Sequence, residues 1–328
     1  MGDLMLGSTY PDTKGNALPP HDGADLLADV APLLESVDIA LGNLEAPLFD
    51  GGTAPTCTPA AIAEKNRGKG GGSSCWAFRM PEKYGALLRD AGVDVVSLAN
   101  NHIDDFGPAG RARTIEVLDK LGIAWSGPTG TVAHMHAQGR AIDVIAFATY
   151  DGLNDLDDHE QAAALVAKSA KTADLVIVSF HGGAEGEAAR HVPDGAETFY
   201  GDRRGAVKSF ARAMVDAGAD LVVGHGPHVV RGMEVYRDRL IAYSLGTFAS
   251  YRGIGVSGVL GVTCMLEVAL AADGRFVSGH IHAVRQIAPG GPRRDEGAQV
   301  VPMVRELSIA DFGEHAVKVA DDGNVTPP

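Results

Sequence analysis

Residues Ser97 to Gly107 read SLANNHIDDFG, a polar turn set directly behind an apolar run. That run, Val93 to Leu98 (VDVVSL), is short and β-branched, as a buried parallel strand requires. Asn100, Asn101, His102, Asp104 and Asp105 follow it, all side chains able to bind metal or move protons. In an open α/β sheet, ligands bind outside the carboxyl ends of the strands, where the chain emerges into a crevice that helices leave uncovered. The stretch therefore predicts an α/β fold with its chemistry at the strand ends.

The arrangement recurs. Asn43 and Glu45 follow IALG, His181 follows LVIVSF, His225 and His228 follow DLVVG, and Asp3 lies in the opening GDLML. A lone histidine after a strand is usually a capping or solvent-facing residue, but several such ends in one chain describe a shared site. Imidazole, amide and carboxylate together suit zinc, manganese or iron, whereas calcium prefers oxygen alone.

The order of helix, glycine and strand also repeats, at Arg111 to Trp125 and at Ala206 to Val223. Leu26, Leu27, Val30, Leu33 and Leu34 predict a helix over Asp22 to Ser36, and Pro81 to Asp90 a second. Ala141 to Thr149 and Leu175 to Phe180 read as strands with a helix, His159 to Lys171, between them. Past residue 230 strands follow one another, joined by turns at Arg237-Asp238 and Ala272-Asp273-Gly274. Parallel units first and antiparallel hairpins last predict two sheets packed face to face with helices outside. No linker divides the 328 residues, so a single domain over 1–328 is expected.

The formal net charge of −14 argues against nucleic acid as a partner. An acidic substrate would need a local basic patch, and a Gly-rich insertion at about 50–78 carries one: Lys65, Arg67 and Lys69, with Arg79 just beyond. Cys57 and Cys75 bracket that insertion, and a disulfide between them would staple it, as in an exported protein; Cys264 lies in an apolar run and reads as core. No segment is long and apolar enough to span a membrane, and there is no basic, apolar leader. The opening at Met1-Gly2-Asp3 leaves no strand ahead of Asp3, so a signal or anchor removed from this chain, and an extracytoplasmic location, are expected.

The motifs GDLML, GNLEAPL, ANNHIDDFG, FHGGAE, GHGPHVVRGMEVY and YSLGTF occur in the order that resembles the CapA family of poly-γ-glutamate capsule synthesis proteins, within the calcineurin-like metallophosphoesterase superfamily. The resemblance runs from Asp3 to about Phe248. It implies a four-layer αββα sandwich with two mixed sheets, and one or two divalent transition-metal ions, zinc, manganese or iron. Residue by residue it implies Asp3, Glu45, Asn101, His181, His225 and His228 as metal ligands, with His102 as acid or base. Met5 stands where the superfamily has a histidine ligand; Gly182, Gly226 and Thr247 stand where this branch commonly has Trp, His and Asn. Those changes are expected to open the pocket rim.

Asp105 is placed to orient His102, and Asp104 reads as a solvated turn residue. Glu185 reads either as a second base or as a helix cap. Arg79 is the candidate anion clamp, with Lys65 and Arg67 gripping the substrate, since guanidinium binds carboxylate or phosphate through paired hydrogen bonds. The implied activity is metal-dependent action on poly-γ-glutamate or a related acidic peptide, in capsule assembly or by amide hydrolysis, beside membrane-associated synthesis machinery. Three other readings are a phosphoesterase, an epimerase of peptide α-carbons and a non-catalytic scaffold of a capsule synthase.

Overall fold

Four short apolar runs, β1 (Asp3–Met5), β2 (Leu41–Leu44), β3 (Val95–Ser97) and β4 (Ala124–Ser126), lie side by side in parallel. The computed structural model describes residues 1–10, 17–57 and 76–328. A second sheet begins with β5 (Ala133–Ala137), β6 (Arg140–Ala148) and β7 (Leu175–His181). After a separate hairpin of β8 (Thr198–Phe199) and β9 (Asp202–Arg203), it is completed by β10 (Leu221–His225), β11 (Met233–Tyr236) and β12 (Arg239–Ala242). The chain then returns β13 (Thr247–Ser250) to the first sheet, in parallel beside β1. The two strand orders are β13-β1-β2-β3-β4 and β11-β12-β10-β7-β6-β5.

Alternation along each strand builds the layers, because successive side chains point to opposite faces. Val96 shares a core with Leu34, Leu88 and Leu118, which lie on α1 (Ala31–Leu34), α2 (Gly85–Asp90) and α3 (Gly107–Leu121). Its neighbour Val95 packs instead with Ala133 and Val144 of the second sheet. On the far side of that sheet Phe147, Val178, Phe180 and Val222 meet Val166, Phe210 and Met214 from α4 (His159–Ser169) and α5 (Val207–Asp216). Helices, sheet, sheet and helices are the four layers of the expected sandwich. Local chemistry ends the helices where they must end: the Asp158 side chain accepts from Gln161 N ahead of α4, and Gly122 at φ 73° closes α3.

Three details depart from expectation. The first sheet is parallel throughout and not mixed. Of the late antiparallel strands, only the β11–β12 hairpin joins the sandwich. The strands β14 (Val262–Leu270), β15 (Phe276–Gln286), β16 (Pro292–Arg294), β17 (Lys318–Val319) and β18 (Asn324–Thr326) form a third, antiparallel sheet backed by α6 (Val300–Phe312). The outer half of β14 alternates half-buried and exposed residues, which suits a one-sided sheet and not a doubly covered layer. Finally, the helix expected over 22–36 is broken. A 3-10 turn at Pro20–Gly23 contains His21 and Asp22 at positive φ, and only Ala31–Leu34 is α-helical. Pro32 sits at the start of that short helix, since it has no N–H to donate to an earlier turn.

Candidate metal centre

The register brings the motif residues to one place. In the first sheet Asp3 pairs with Asn43 and Asn43 with Ser97; in the second Ala148, His181 and His225 form one row at the strand ends. Glu45 lies one residue past β2, and Asn100 to Asp105 form the turn after β3. His228 follows β10 with φ 57°, a left-handed backbone uncommon for a non-glycine residue, and this turn aims its Nδ1 at Asp3 Oδ2, 2.9 Å away.

Asp3, Glu45 and His181 each offer a ligand atom within 4.8 Å of the others, all buried. His181 Nδ1 lies 3.4 Å from Glu45 Oε2, and His225 Nδ1 lies 3.7 Å from Asp3 Oδ1. The donor set fits a cation by a simple test. Among the described residues, Glu45 Oε1, Asn101 Oδ1 and both nitrogens of His225 are buried without a hydrogen-bond partner. Orphaned buried polar atoms are rare, and an ion is one of the few things that explains a group of them.

The electrostatics divide the imidazoles, holding His181 and His225 neutral and favouring the charged form of His228. Burial pushes His225 down to about 4, and burial with the Arg204 charge holds His181 well below the usual histidine range. Burial opposes the charged form of His228, but the Asp3 hydrogen bond and charge outweigh it and lift it to about 9. Burial, reinforced by the Asp3 charge, raises Glu45 to about 7. For Asp3, burial is outweighed by His228 and Asn43, and its pKa falls below the ordinary value.

His102 stands beside this set. Its Nδ1 is 2.8 Å from Asp105 Oδ2, which also accepts from Phe78 N at 2.8 Å, and the Phe78 ring lies 4.6 Å from the imidazole. Burial works against a charged His102, yet the Asp105 charge and hydrogen bond raise its pKa overall. Asp105 thus contacts the imidazole that it is expected to orient. Asp104 points elsewhere, to Arg111 at 2.8 Å.

Glu185 caps no helix; the next 3-10 turn starts at Glu187 with Gly186 before it. Its carboxylate instead faces Arg204 Nη2 at 3.2 Å and His228 Nε2 at 3.9 Å. Arg79 is buried and donates to Thr9 Oγ1 and to the carbonyls of Gly51 and Gly52, with its guanidinium 5.2 Å from the Phe106 ring centre. An anion clamp at Arg79 would have to give up those carbonyls. Lys65, Arg67, Lys69 and Cys75 lie outside the described residues; Cys57 is disulfide-bonded, and Cys264 is free and buried.

The rim is not opened at Gly226 and Gly182, because Arg204 fills the space. A Cβ on Gly226 would lie 3.0 Å from Arg204 Nη2, and one on Gly182 would lie 2.8 Å from Arg204 O. Arg204 donates to the carbonyls of Gly183 and Gly226 and to the Tyr150 hydroxyl, and Nη2 comes within 3.4 Å of His181 Nε2. Nothing in the turn GDRRG marks it in sequence. Met5, at the position where the superfamily has a histidine ligand, is buried with its methyl packed over Gly253. Thr247 is buried in register with Asp3.

Comparison with known proteins bears on this constellation. The model of the family described as bacterial capsule synthesis protein PGA_cap matches residues 1–252. The chain is 26% identical over 274 residues to the capsule biosynthesis protein CapA of Bacillus anthracis, covering 77% of this chain and 59% of that one. To the PGA biosynthesis protein CapA of Bacillus subtilis (strain 168) it is 26% identical over 271 residues, covering 77% and 63%. A probable polyglutamine synthesis accessory protein of Mycobacterium tuberculosis is 30% identical over 192 residues, 49% of this chain and 46% of that one. The chain thus spans about three fifths of the length of the two CapA proteins. Among solved structures, a hypothetical protein from Thermus thermophilus superposes with a TM-score of 0.43 at 15% identity, over 81% of this chain and 91% of that one. With most of its length matched by the family model, the chain belongs to the bacterial capsule synthesis PGA_cap family, of the calcineurin-like metallophosphoesterase type.

Proposed function

We propose that this protein is a metal-dependent enzyme acting on poly-γ-glutamate or a related acidic peptide, by amide hydrolysis or in capsule assembly. The observation that carries the reading is the orphaned ligand atoms on Glu45 and His225, buried beside His181 and Asp3, together with the unpartnered Asn101 Oδ1. The choice of polymer is supported by the likeness to a capsule biosynthesis protein and a PGA biosynthesis protein. A divalent ion held by this donor set would polarise a carbonyl or phosphoryl oxygen and lower the pKa of a bound water.

The chain's own residues do the rest. Asp105 engages His102 Nδ1, so Nε2 is the nitrogen that takes a proton from the nucleophile or gives one to the leaving group. Phe78 packs on the imidazole and limits its rotation. Glu185, held by Arg204 on the opposite side of His228, is the second carboxylate able to accept a proton. Lys65, Arg67 and Arg79 are proposed to attract the polymer's carboxylates. The Cys57 disulfide supports an extracytoplasmic location, where such bonds persist, and among the described residues no helix is long and apolar enough to cross a membrane.

The test is manganese-reconstituted protein incubated with poly-γ-glutamate, scored for new amino termini. His102→Ala should remove turnover and leave bound metal unchanged. Solvent deuterium entering the polymer without cleavage would replace hydrolysis by epimerisation. Turnover of an aryl phosphate alone would replace it by phosphoester chemistry.

A further inference from the structure

Past residue 252, where the family match ends, the third sheet carries a donor set of its own. His280 and His282 stand two apart on β15, so both side chains lie on one face of the sheet. Glu267 is directly opposite His280 on β14, and Asn324 is opposite it on the other side, on β18. Cross-strand partners share a face, so three adjacent strands present four ligand-type side chains together. Between the two histidines Ile281 points the other way and is buried.

The spacing suits one ion. The imidazole centres of His280 and His282 are 4.6 Å apart. Two rings on one zinc ion, with bonds to nitrogen of about 2.0–2.1 Å, have centres about 5 Å apart. His282 Nε2 is 2.9 Å from Glu267 Oε2. Neighbouring donors on a tetrahedral ion with such bonds are about 3.3 Å apart. His280 Nδ1 faces Asn324 Oδ1 at 3.0 Å, so this ring must turn from the amide toward the ion. There is room for that, since the His282 side chain is 22% exposed and that of Glu267 49%. A histidine–glutamate ion pair alone needs no second imidazole against the first. Two imidazoles with one carboxylate are the donor chemistry of zinc, whereas calcium and magnesium take oxygen. His134 and His136 repeat the spacing on β5, but His136 lies opposite Ala141, which offers no ligand.

We propose that the open face of the third sheet binds one zinc ion through His280, His282 and Glu267, clasping β14 to β15. The site is independent of the strand-end centre and shares no residue with it. A half-exposed site of three protein donors gives up its ion on dialysis, so it is read by titration and not in the purified chain.

The experiment is calorimetric titration of the dialysed full chain with zinc. A His280→Ala, His282→Ala double variant should bind one equivalent fewer than the native chain, and Glu267→Gln should bind that equivalent more weakly. His134→Ala should match the native chain, and a His181→Ala, His225→Ala double variant should keep the surface equivalent. Zinc should also shield His280 and His282 of the native chain from diethyl pyrocarbonate, mapped by mass spectrometry. Equal binding by the native chain and the His280→Ala, His282→Ala variant would overturn the inference. So would undiminished modification of both histidines, a reading that needs no variant to fold. Loss of the equivalent in His134→Ala would overturn the placement. A native chain whose only zinc disappears with His280 and His282 would uphold this site and contradict the strand-end metal centre.

Discussion

His102 is held from three directions, by Asp105 at Nδ1, by the Phe78 ring and by its own turn, whose backbone N–H bonds to Asn100. Removing the imidazole leaves that scaffold in place, so His102→Ala should lower turnover by about 10²–10⁴-fold, the usual contribution of a positioned acid–base group, with metal content unchanged. Asp105→Asn should give a smaller loss, since it keeps a polar partner but not the charge. Cys264 offers a different single-residue check: burial lifts its thiol to about 12. It should therefore resist alkylation at pH 8 in the native protein and react once unfolded, as read by mass shift. The strand-end residues Asn101, His102, His181 and His225 were legible because an apolar run followed by a ligand type is a local signal. Asn43 was visible as a strand-end residue, but its oxygen accepts from Asn100 Nδ2, 57 positions away, and no local pattern reports that bond. Arg204 was not legible at all, because its partners at 150, 181, 183 and 226 are brought together only by the fold.

The elements that carry the site are pressed closely together along β10. Gly224 precedes His225, and a Cβ there would lie 2.2 Å from Tyr243 O and 2.4 Å from the Phe180 ring. Gly224→Ala should therefore destabilise the fold by about 1–3 kcal/mol as an overpacking change, read as a lower urea midpoint. Phe210 on α5 is fully buried against Phe147 and Phe180, with ring centres 5.4 and 5.9 Å away. Phe210→Ala should cost about 3–5 kcal/mol by the same measurement. These buried strands and α5 were readable from apolar runs and helical spacing. The apolar spacing over 22–36 does not become one helix because Pro32, which has no N–H to donate to an earlier turn, confines the α-helix to Ala31–Leu34. β14 and β15 were recognised as strands, but a strand's own pattern does not say which sheet it joins. That choice was made by packing, with Val262, Cys264 and Ile281 closing over Val301 and Val304.

Across the whole molecule, the family model stops at residue 252, but the core does not. Leu221, Val223, Leu240 and Ala242 of the second sheet share a cluster with Val262, Cys264, Val300 and Val304 beyond that point. Truncation after residue 252 should accordingly yield a protein without a cooperative unfolding transition or near-ultraviolet dichroism. With a net charge of −14, attraction of an acidic polymer depends on a local patch. Replacing Lys65, Arg67 and Lys69 by Gln should weaken poly-γ-glutamate binding and flatten its salt dependence. The metal centre is the claim on which the function turns, and elemental analysis of the purified native chain beside a His181→Ala, His225→Ala double variant tests it most directly. The account predicts one or two transition-metal ions per native chain and almost none in the variant. A native chain that stays metal-free after reconstitution, or a variant that keeps its ion, would contradict it.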